Sequence, residues 1–361
     1  MKREKVCKKF CFLIFLFLLA VLNCRSIAQD KEVNINMDSP FGVLEFLHWN
    51  HSWNNYKYSR QEDLEKVVSL MKEAGIGWVR MDFLWEDIEP RQGDFIFDKY
   101  DYIVDLLTKN KINILGILDY NVSWASPSGR WNEPPQETSL FINYAAKVVS
   151  RYKDKIKHWE IWNEPDSYIY WSKQDSLESY CVFLKKIYIA LKKIDPECKI
   201  LNGGLANGGS SVNHLYDNGA KDCFDILNLH IFESPLNPGA QKILTAQTKL
   251  AYKIMSRNGD SRKKIWITEI GCPGVKRWSK VNNWWMGKNS TERKQAAWVK
   301  EVYKQLLSDR NVEKVFWAFF RDSKYHWKNG IDYFGLVRWD FTKKPSFFAY
   351  RECFNKWEKS K

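Results

Sequence analysis

Two glutamates in this chain stand where a charged side chain needs an explanation. Glu164 closes the apolar, strand-like stretch His158-Trp159-Glu160-Ile161-Trp162-Asn163, and Glu269 lies within a second one, Lys264-Ile265-Trp266-Ile267-Thr268-Glu269-Ile270-Gly271. An unpaired carboxylate in a buried strand is costly, so an acid there is either neutralised by a partner or kept for use. Two carboxyls brought face to face can cleave an acetal: one protonates the departing oxygen, the other attacks the anomeric carbon. The bland alternatives are a solvated loop charge for Glu164 and a buried structural ion pair for both. A lone acid says little, and the pair matters only if the chain brings it together.

The pattern of elements says how it could. Apolar runs read as strands at Phe41 to Trp49, Gly77 to Phe83, Ile112 to Leu118, Ile156 to Trp162, Cys198 to Gly203, Phe224 to Ile231, Lys264 to Ile270 and Val312 to Phe319. Helical patterns alternate with them at Arg60 to Ala74, Phe97 to Asn110, Glu137 to Tyr152, Ser176 to Ile194, Ser210 to Asn218, Gly239 to Arg257, Thr291 to Leu307 and Ser346 to Lys356. In the first, Leu64, Val67, Val68 and Met71 form one stripe and Gly75 is a natural stop. Strands this apolar belong to a parallel sheet covered by helices. The expected fold is α/β, a single (β/α)8 TIM barrel, in which chemistry gathers at the ends of the strands. A doubly wound open sheet is the runner-up, but Asn202-Gly203-Gly204 and Asn207-Gly208-Gly209 do not match its phosphate turn and read as tight loops at the barrel mouth.

Placed in that barrel, Glu164 and Glu269 share the mouth. Two nearby carboxylates need a cation, and Arg80 on the second strand is the candidate. Glu160 alternates with Glu164 and reads as a structural ion-pair member, with Arg80 as its candidate partner. His230, on an apolar strand, is either a satisfied core residue or a contact for substrate or carboxyl. Sugar rings stack on aromatic plates, and among the 18 tryptophans those in expected mouth loops are Trp85, Trp124, Trp131, Trp171, Trp284 and Trp285.

The stretch Trp162-Asn163-Glu164-Pro165-Asp166 together with Thr268-Glu269-Ile270-Gly271 resembles the clan A retaining glycoside hydrolases, which are (β/α)8 barrels. Arg80 in Trp78-Val79-Arg80-Met81-Asp82 and His230 in Leu229-His230-Ile231-Phe232 fit the same pattern, as does the ending Tyr333-Phe334-Gly335-Leu336-Val337 with Lys344-Pro345-Ser346. The form HWEIWNEPD with a strand-six His-x-aromatic is most similar to family 39, with the cellulase-like family 5 enzymes second. The resemblance runs from Phe41 to Trp357. It implies that Glu164 is the acid and base, Glu269 the nucleophile, Asn163 a contact to a sugar hydroxyl and Trp317 a plate under the sugar; Trp124 and Trp317 are the expected aromatic contacts. Phe232 departs from the pattern, because relatives often carry there a tyrosine that bonds the nucleophile. That departure motivates the alternative of a noncatalytic glycan-binding barrel.

Composition narrows the rest. The 361 residues with 45% hydrophobic content suffice for a large core. Lys2, Arg3, Lys5, Lys8 and Lys9 precede an apolar run from Phe10 to Leu22 and then Ser26-Ile27-Ala28, so residues 1–28 read as a secretory signal peptide and residues 29–361 as the catalytic domain. Lipid attachment at Cys24 is the minority alternative. The expectation is a secreted or periplasmic protein without stable membrane insertion once the signal is gone. Part of the net charge of +13 belongs to that signal, and the remainder, spread without a dense basic block, reads as a solvated surface and not a nucleic-acid footprint, with an acidic polysaccharide left open as a partner. The expected partner is the carbohydrate substrate that the carboxyl pair implies. Cys181, Cys198, Cys223, Cys272 and Cys353 are widely spaced without CxxC pairs, arguing against a disulfide scaffold or a zinc site. Two-carboxyl acetal hydrolysis requires neither a metal nor an organic cofactor.

Overall fold

In the computed structural model, residues 38–52, 57–172 and 176–361 are described; the expected signal peptide and Cys24 lie outside them. The barrel belongs to the compact unit Ile35–Lys361. Its strands are β1 (Phe41–Leu44), β2 (Trp78–Leu84), β3 (Asn113–Asp119), β4 (His158–Ile161), β5 (Lys199–Asn202), β6 (Leu227–His230), β7 (Ile265–Ile270) and β8 (Val312–Ala318). They pair in parallel in the order β5-β4-β3-β2-β1-β8-β7-β6. The β5–β6 seam closes through isolated bridges, Leu201 with Ile226 and Leu205 with Leu229, giving a nearly closed barrel.

The strands are largely buried on both faces, and the helices between them supply the outer cover. The helix Glu62–Ala74 buries Leu64, Val67, Val68, Met71 and Ala74, carries Glu62, Asp63 and Glu65 in its first turn, and ends at Gly75, whose φ of 82° lets its N–H bond the carbonyls of Met71 and Lys72. Burying each of the Leu, Val and Met side chains stabilises the fold by about 1.5–3 kcal/mol. The helix Glu292–Leu307 is capped by the Thr291 side chain, which accepts from the Lys294 N–H. Pro345 opens the last helix, Pro345–Lys359. A short helix at Trp85–Ile88 and 3-10 turns at Lys221–Cys223 and Gly330–Tyr333 were not expected from periodicity, being too short to show one. Among the described residues, no helix is long and apolar enough to cross a membrane.

Inside the barrel, Trp78, Leu115, Leu201, Ile226, Trp266 and Phe316 form an apolar layer. Trp78 meets Trp266 edge to face, with ring centroids 5.1 Å apart. This plug lies below the polar residues that the same strands carry further along.

Candidate active site

Strand parity builds the site. Trp78, Arg80 and Asp82 share the inward face of β2, and Asn228 and His230 that of β6. On β7 the parity breaks: Leu229 pairs with Ile267, but His230 pairs with Glu269, so an extra residue enters β7 at Thr268. This bulge gives both Thr268 and Glu269 access to the interior, and re-aiming a side chain in this way is a common use of bulges beside active sites.

Arg80 is the hub. Its Nε and Nη2 donate to Glu160 at 2.7 and 2.8 Å, its Nη1 to Glu269 Oε1 at 2.7 Å, and Nη2 also to Asn163 Oδ1 at 2.9 Å. The expected Arg80–Glu160 pair is therefore present and fully buried. Phe232 packs edge to face on Trp285, with centroids 5.1 Å apart, and Arg80 is the hydrogen-bond donor to Glu269.

Glu164 reaches the same point from the loop after β4. Trp162 and Glu164 both have positive φ, 67° and 44°, a conformation that non-glycine residues adopt only when their surroundings impose it. The imposing contacts are Trp162 N–H to the Leu118 carbonyl at 3.0 Å, Glu164 N–H to the Gly204 carbonyl at 3.1 Å and Trp162 Nε1 to the Tyr170 carbonyl at 2.8 Å. Gly204 is glycine because a Cβ there would lie 2.0 Å from His230 Nε2. Asp166, the other acid of the motif, accepts from the N–H groups of Ala206 and Asn207 and from the Ser211 hydroxyl, and so fixes the loop after β5.

His230 lies between the two acids. Its Nδ1 shares a hydrogen bond with Glu164 Oε1 at 2.8 Å and its Nε2 one with the Thr268 hydroxyl at 3.1 Å, while Glu269 Oε1 is 3.7 Å from Nε2. Burial lowers the pKa of His230, which favours the neutral ring. Burial also pushes the Glu164 carboxyl up to about 8, with Asp166 and Glu160 adding to the rise and Arg80 opposing it. Glu269 is likewise raised by burial, but His230 and Arg80 both pull against that, so the expected support from Arg80 meets an opposing desolvation cost. The two acids differ in partner: Glu269 bonds a guanidinium, Glu164 an imidazole.

Oxygens of Glu164 and Glu269 and a ring nitrogen of His230 all lie within 4.8 Å of one another. A cation among them would have to displace Arg80 from Glu269 Oε1 and break the Glu164–His230 bond, so these donors fit a hydrogen-bonded acid pair better than a metal centre.

The adjoining cleft has a volume of about 670 Å³, and Arg80, Asp82, Asn163, Tyr170 and Glu269 are among its lining residues. Trp131, from the set of expected mouth tryptophans, is 45% exposed and lines it. Phe319 and Trp327, stacked 5.3 Å apart, line it as well. Two aromatic expectations are corrected. Trp317 faces the opposite side of β8 from Phe316; it is fully buried and its Nε1 donates to the Phe334 carbonyl at 2.9 Å, so it is not a plate under a sugar. Trp124 packs edge to face on Trp85 and donates to the Glu89 carbonyl at 3.0 Å, outside the cleft lining. Asp82, Thr268 and Asn228 were missed, although Asp82 and Asn228 each sit two residues from a chosen residue on the same strand face.

A family model for the glycosyl hydrolase catalytic core matches residues 135–334, and one for beta-galactosidase matches residues 52–117. Endo-1,4-beta-xylanase A of Phanerodontia chrysosporium is 30% identical over 86 residues, 22% of this chain and 20% of the xylanase. An aryl-phospho-beta-D-glucosidase of Bacillus subtilis is 28% identical over 125 residues, 32% of this chain and 25% of that enzyme. The chain thus aligns with about a fifth to a quarter of these relatives' length. A family 39 glycoside hydrolase from Bacteroides cellulosilyticus WH2 superposes with a TM-score of 0.67 at 22% identity, over 88% of this chain and 64% of that one. GH5_18 from Streptomyces cattleya, solved with GlcNAc, gives 0.70 at 14% identity over 90% and 81%. At these identities the structural likeness speaks to the fold.

Proposed function

The chain belongs to the glycosyl hydrolase catalytic core family, and on that premise we propose that it is an exported retaining glycosidase acting by double displacement. The observation that carries this reading is the approach of the Glu164 and Glu269 carboxyls to within 4.8 Å at their nearest atoms. Retaining enzymes hold the two groups about 5–5.5 Å apart, whereas inverting enzymes leave about 6.5–9.5 Å for a water.

In the first step Glu164 gives its proton to the glycosidic oxygen as Glu269 attacks the anomeric carbon and forms a glycosyl ester. In the second, the Glu164 carboxylate takes a proton from water, which displaces Glu269 with the original configuration restored. Glu164 starts protonated because its carboxyl is pushed up to about 8. Arg80, bonded to Glu269 at 2.7 Å, stabilises the charge that Glu269 carries before attack and regains on release.

The lining also bears on the substrate. Asp82, Glu86 and Asp87 face the cleft, Arg80 is already engaged by Glu160, Glu269 and Asn163, and His51 is bonded to both oxygens of Asp87. Burial also lowers the pKa of His326, another lining residue. No described lining cation is therefore left to receive a sugar carboxylate, which favours neutral or amino sugars over uronates. Export rests on the charged start, the apolar run and Ser26-Ile27-Ala28.

A panel of nitrophenyl glycosides and plant polysaccharides tests the activity, and proton NMR of the first-formed product tests the stereochemistry. Hydrolysis with a retained anomer, lost in Glu164→Ala, is expected. Uronides should react at least roughly tenfold more slowly than neutral glycosides, equivalent to about 1.4 kcal/mol. An inverted first product, or a panel without turnover, would contradict the reading.

A further inference from the structure

Resting on the reading of Glu164 as the acid and base, we propose that Asn228, Thr268 and His230 form a hydrogen-bond chain of fixed direction that holds the reacting proton on Glu164, with Asn228 and Thr268 as positioning residues.

The direction is set at the far end. Asn228 Nδ2 donates to the Asn202 carbonyl at 3.1 Å, and Asn202 Nδ2 donates to the Asn228 carbonyl at 3.0 Å, a reciprocal pair across the β5–β6 seam. With its amide group committed there, Asn228 presents Oδ1, which only accepts, to the Thr268 hydroxyl 2.5 Å away. A hydroxyl has one proton, and Thr268 gives it to Asn228. The Thr268 oxygen can then only accept from His230 Nε2 at 3.1 Å, so Nε2 bears the hydrogen. Glu269 Oε1, 3.7 Å from the same nitrogen, favours the same tautomer.

Neutral imidazole has one N–H, and it is used on the Thr268 side. Nδ1 is left as a lone pair facing Glu164 Oε1 at 2.8 Å. Two lone pairs at that distance repel, whereas a protonated Glu164 makes an O–H to N bond. The reverse chain, with Nδ1–H donating to a Glu164 carboxylate and Thr268 donating to Nε2, would leave the buried Asn228 Oδ1 without a donor, which is costly. The other charges that act on Glu164 are Asp166 from its own loop, Glu160 from β4, Arg80 from β2 and Glu269 from β7. Asp166 and Glu160 add to the rise, and Arg80 opposes it while bonded to three other acceptors. After glycosyl transfer the same lone pair faces a carboxylate, which makes Glu164 a stronger base toward water.

The first test is the ring tautomer in the full folded chain. In protein carrying nitrogen-15 histidine, with the His230 signals identified by their loss in His230→Gln, the Nε2–H form is expected at about pH 6.5; an Nδ1–H form would overturn the proposal. The second is the titration of the Glu164 carboxyl carbon by carbon-13 NMR, assigned through Glu164→Gln. Thr268→Val, close in shape but without the hydroxyl, should lower its midpoint by about one pH unit, and Thr268→Ser should restore it. Valine titrating like the wild type, or serine like valine, counts against the chain of bonds. These readouts need no substrate, so a chain with the expected tautomer and midpoint shift but no glycoside turnover would contradict the functional reading and still support the hydrogen-bond chain. In an active enzyme the basic limb of kcat/KM moves with the same midpoint.

Discussion

Two layers inside the barrel, two residues apart along the same strands, solve opposite problems. The lower one, with Trp78, Ile226 and Trp266, is apolar and excludes water. The upper one replaces these with Arg80, Asn228 and Thr268, equally buried but tied together by hydrogen bonds and ion pairs. Burial is the same, so burial alone does not make a site. The apolar layer needs only shape and contributes stability without direction, whereas the polar layer is tolerable only when every donor and acceptor is met, and that requirement fixes the direction of its bonds. The cost of leaving a buried polar group unsatisfied is thus what orients the acids.

The contrast can be broken from either side. Glu269→Gln should lose at least about 10⁴-fold in kcat while leaving the fold intact, read by steady-state kinetics beside circular dichroism. Trp266→Ala should do the reverse in kind, costing about 3–5 kcal/mol in denaturant unfolding through the cavity it opens, with the acid pair still in place. If Trp266→Ala left stability unchanged, the lower layer would not be the structural one.

Protonation sharpens the comparison. Glu164 has a folded pKa raised from its ordinary 4.5 to about 8. Across that window the folded chain holds a proton that the unfolded chain has released, so this group's stabilising contribution is full below about 4.5 and is lost as pH rises to about 8. Melting temperatures should fall across the window, and Glu164→Gln should flatten the trend. On the activity side, kcat/KM should decline as pH passes about 8, where the general acid loses its proton. A pH-independent difference between wild type and Glu164→Gln would contradict the assigned shift. The smallest effect is expected at the cleft wall: Trp327→Ala, removing one stacked plate, should raise KM roughly fivefold, about 1 kcal/mol, with kcat little changed.

Much of this was legible because buried parallel strands are written as apolar runs, and an acid interrupting such a run stands out. Glu164, Glu269, Arg80, Asn163 and His230 are brought together where strand ends predicted. Three things were hidden. The first strand ends at Leu44 instead of continuing to Trp49, because Glu45 turns to accept from Lys57, Tyr58 and the N–H groups of Phe320 and Arg321. Strand parity decides which tryptophans meet the cleft: Phe316 takes the interior and Trp317 faces away from it, while the loop residue Trp327 shows no periodicity to mark it. The bulge at Thr268 leaves no trace in residue type, since two consecutive polar residues at the end of a strand usually face opposite sides. Residues 1–28 lie outside the described structure.

Azide rescue tests the division of labour between the two acids most directly. With a substrate carrying a very good leaving group, Glu164→Ala should still form the glycosyl ester on Glu269, and azide should intercept it to give a glycosyl azide of retained configuration. In Glu269→Ala azide takes the place of the missing nucleophile, so any product should have inverted configuration. Inverted azide from Glu164→Ala and retained azide from Glu269→Ala would contradict the assignment of roles.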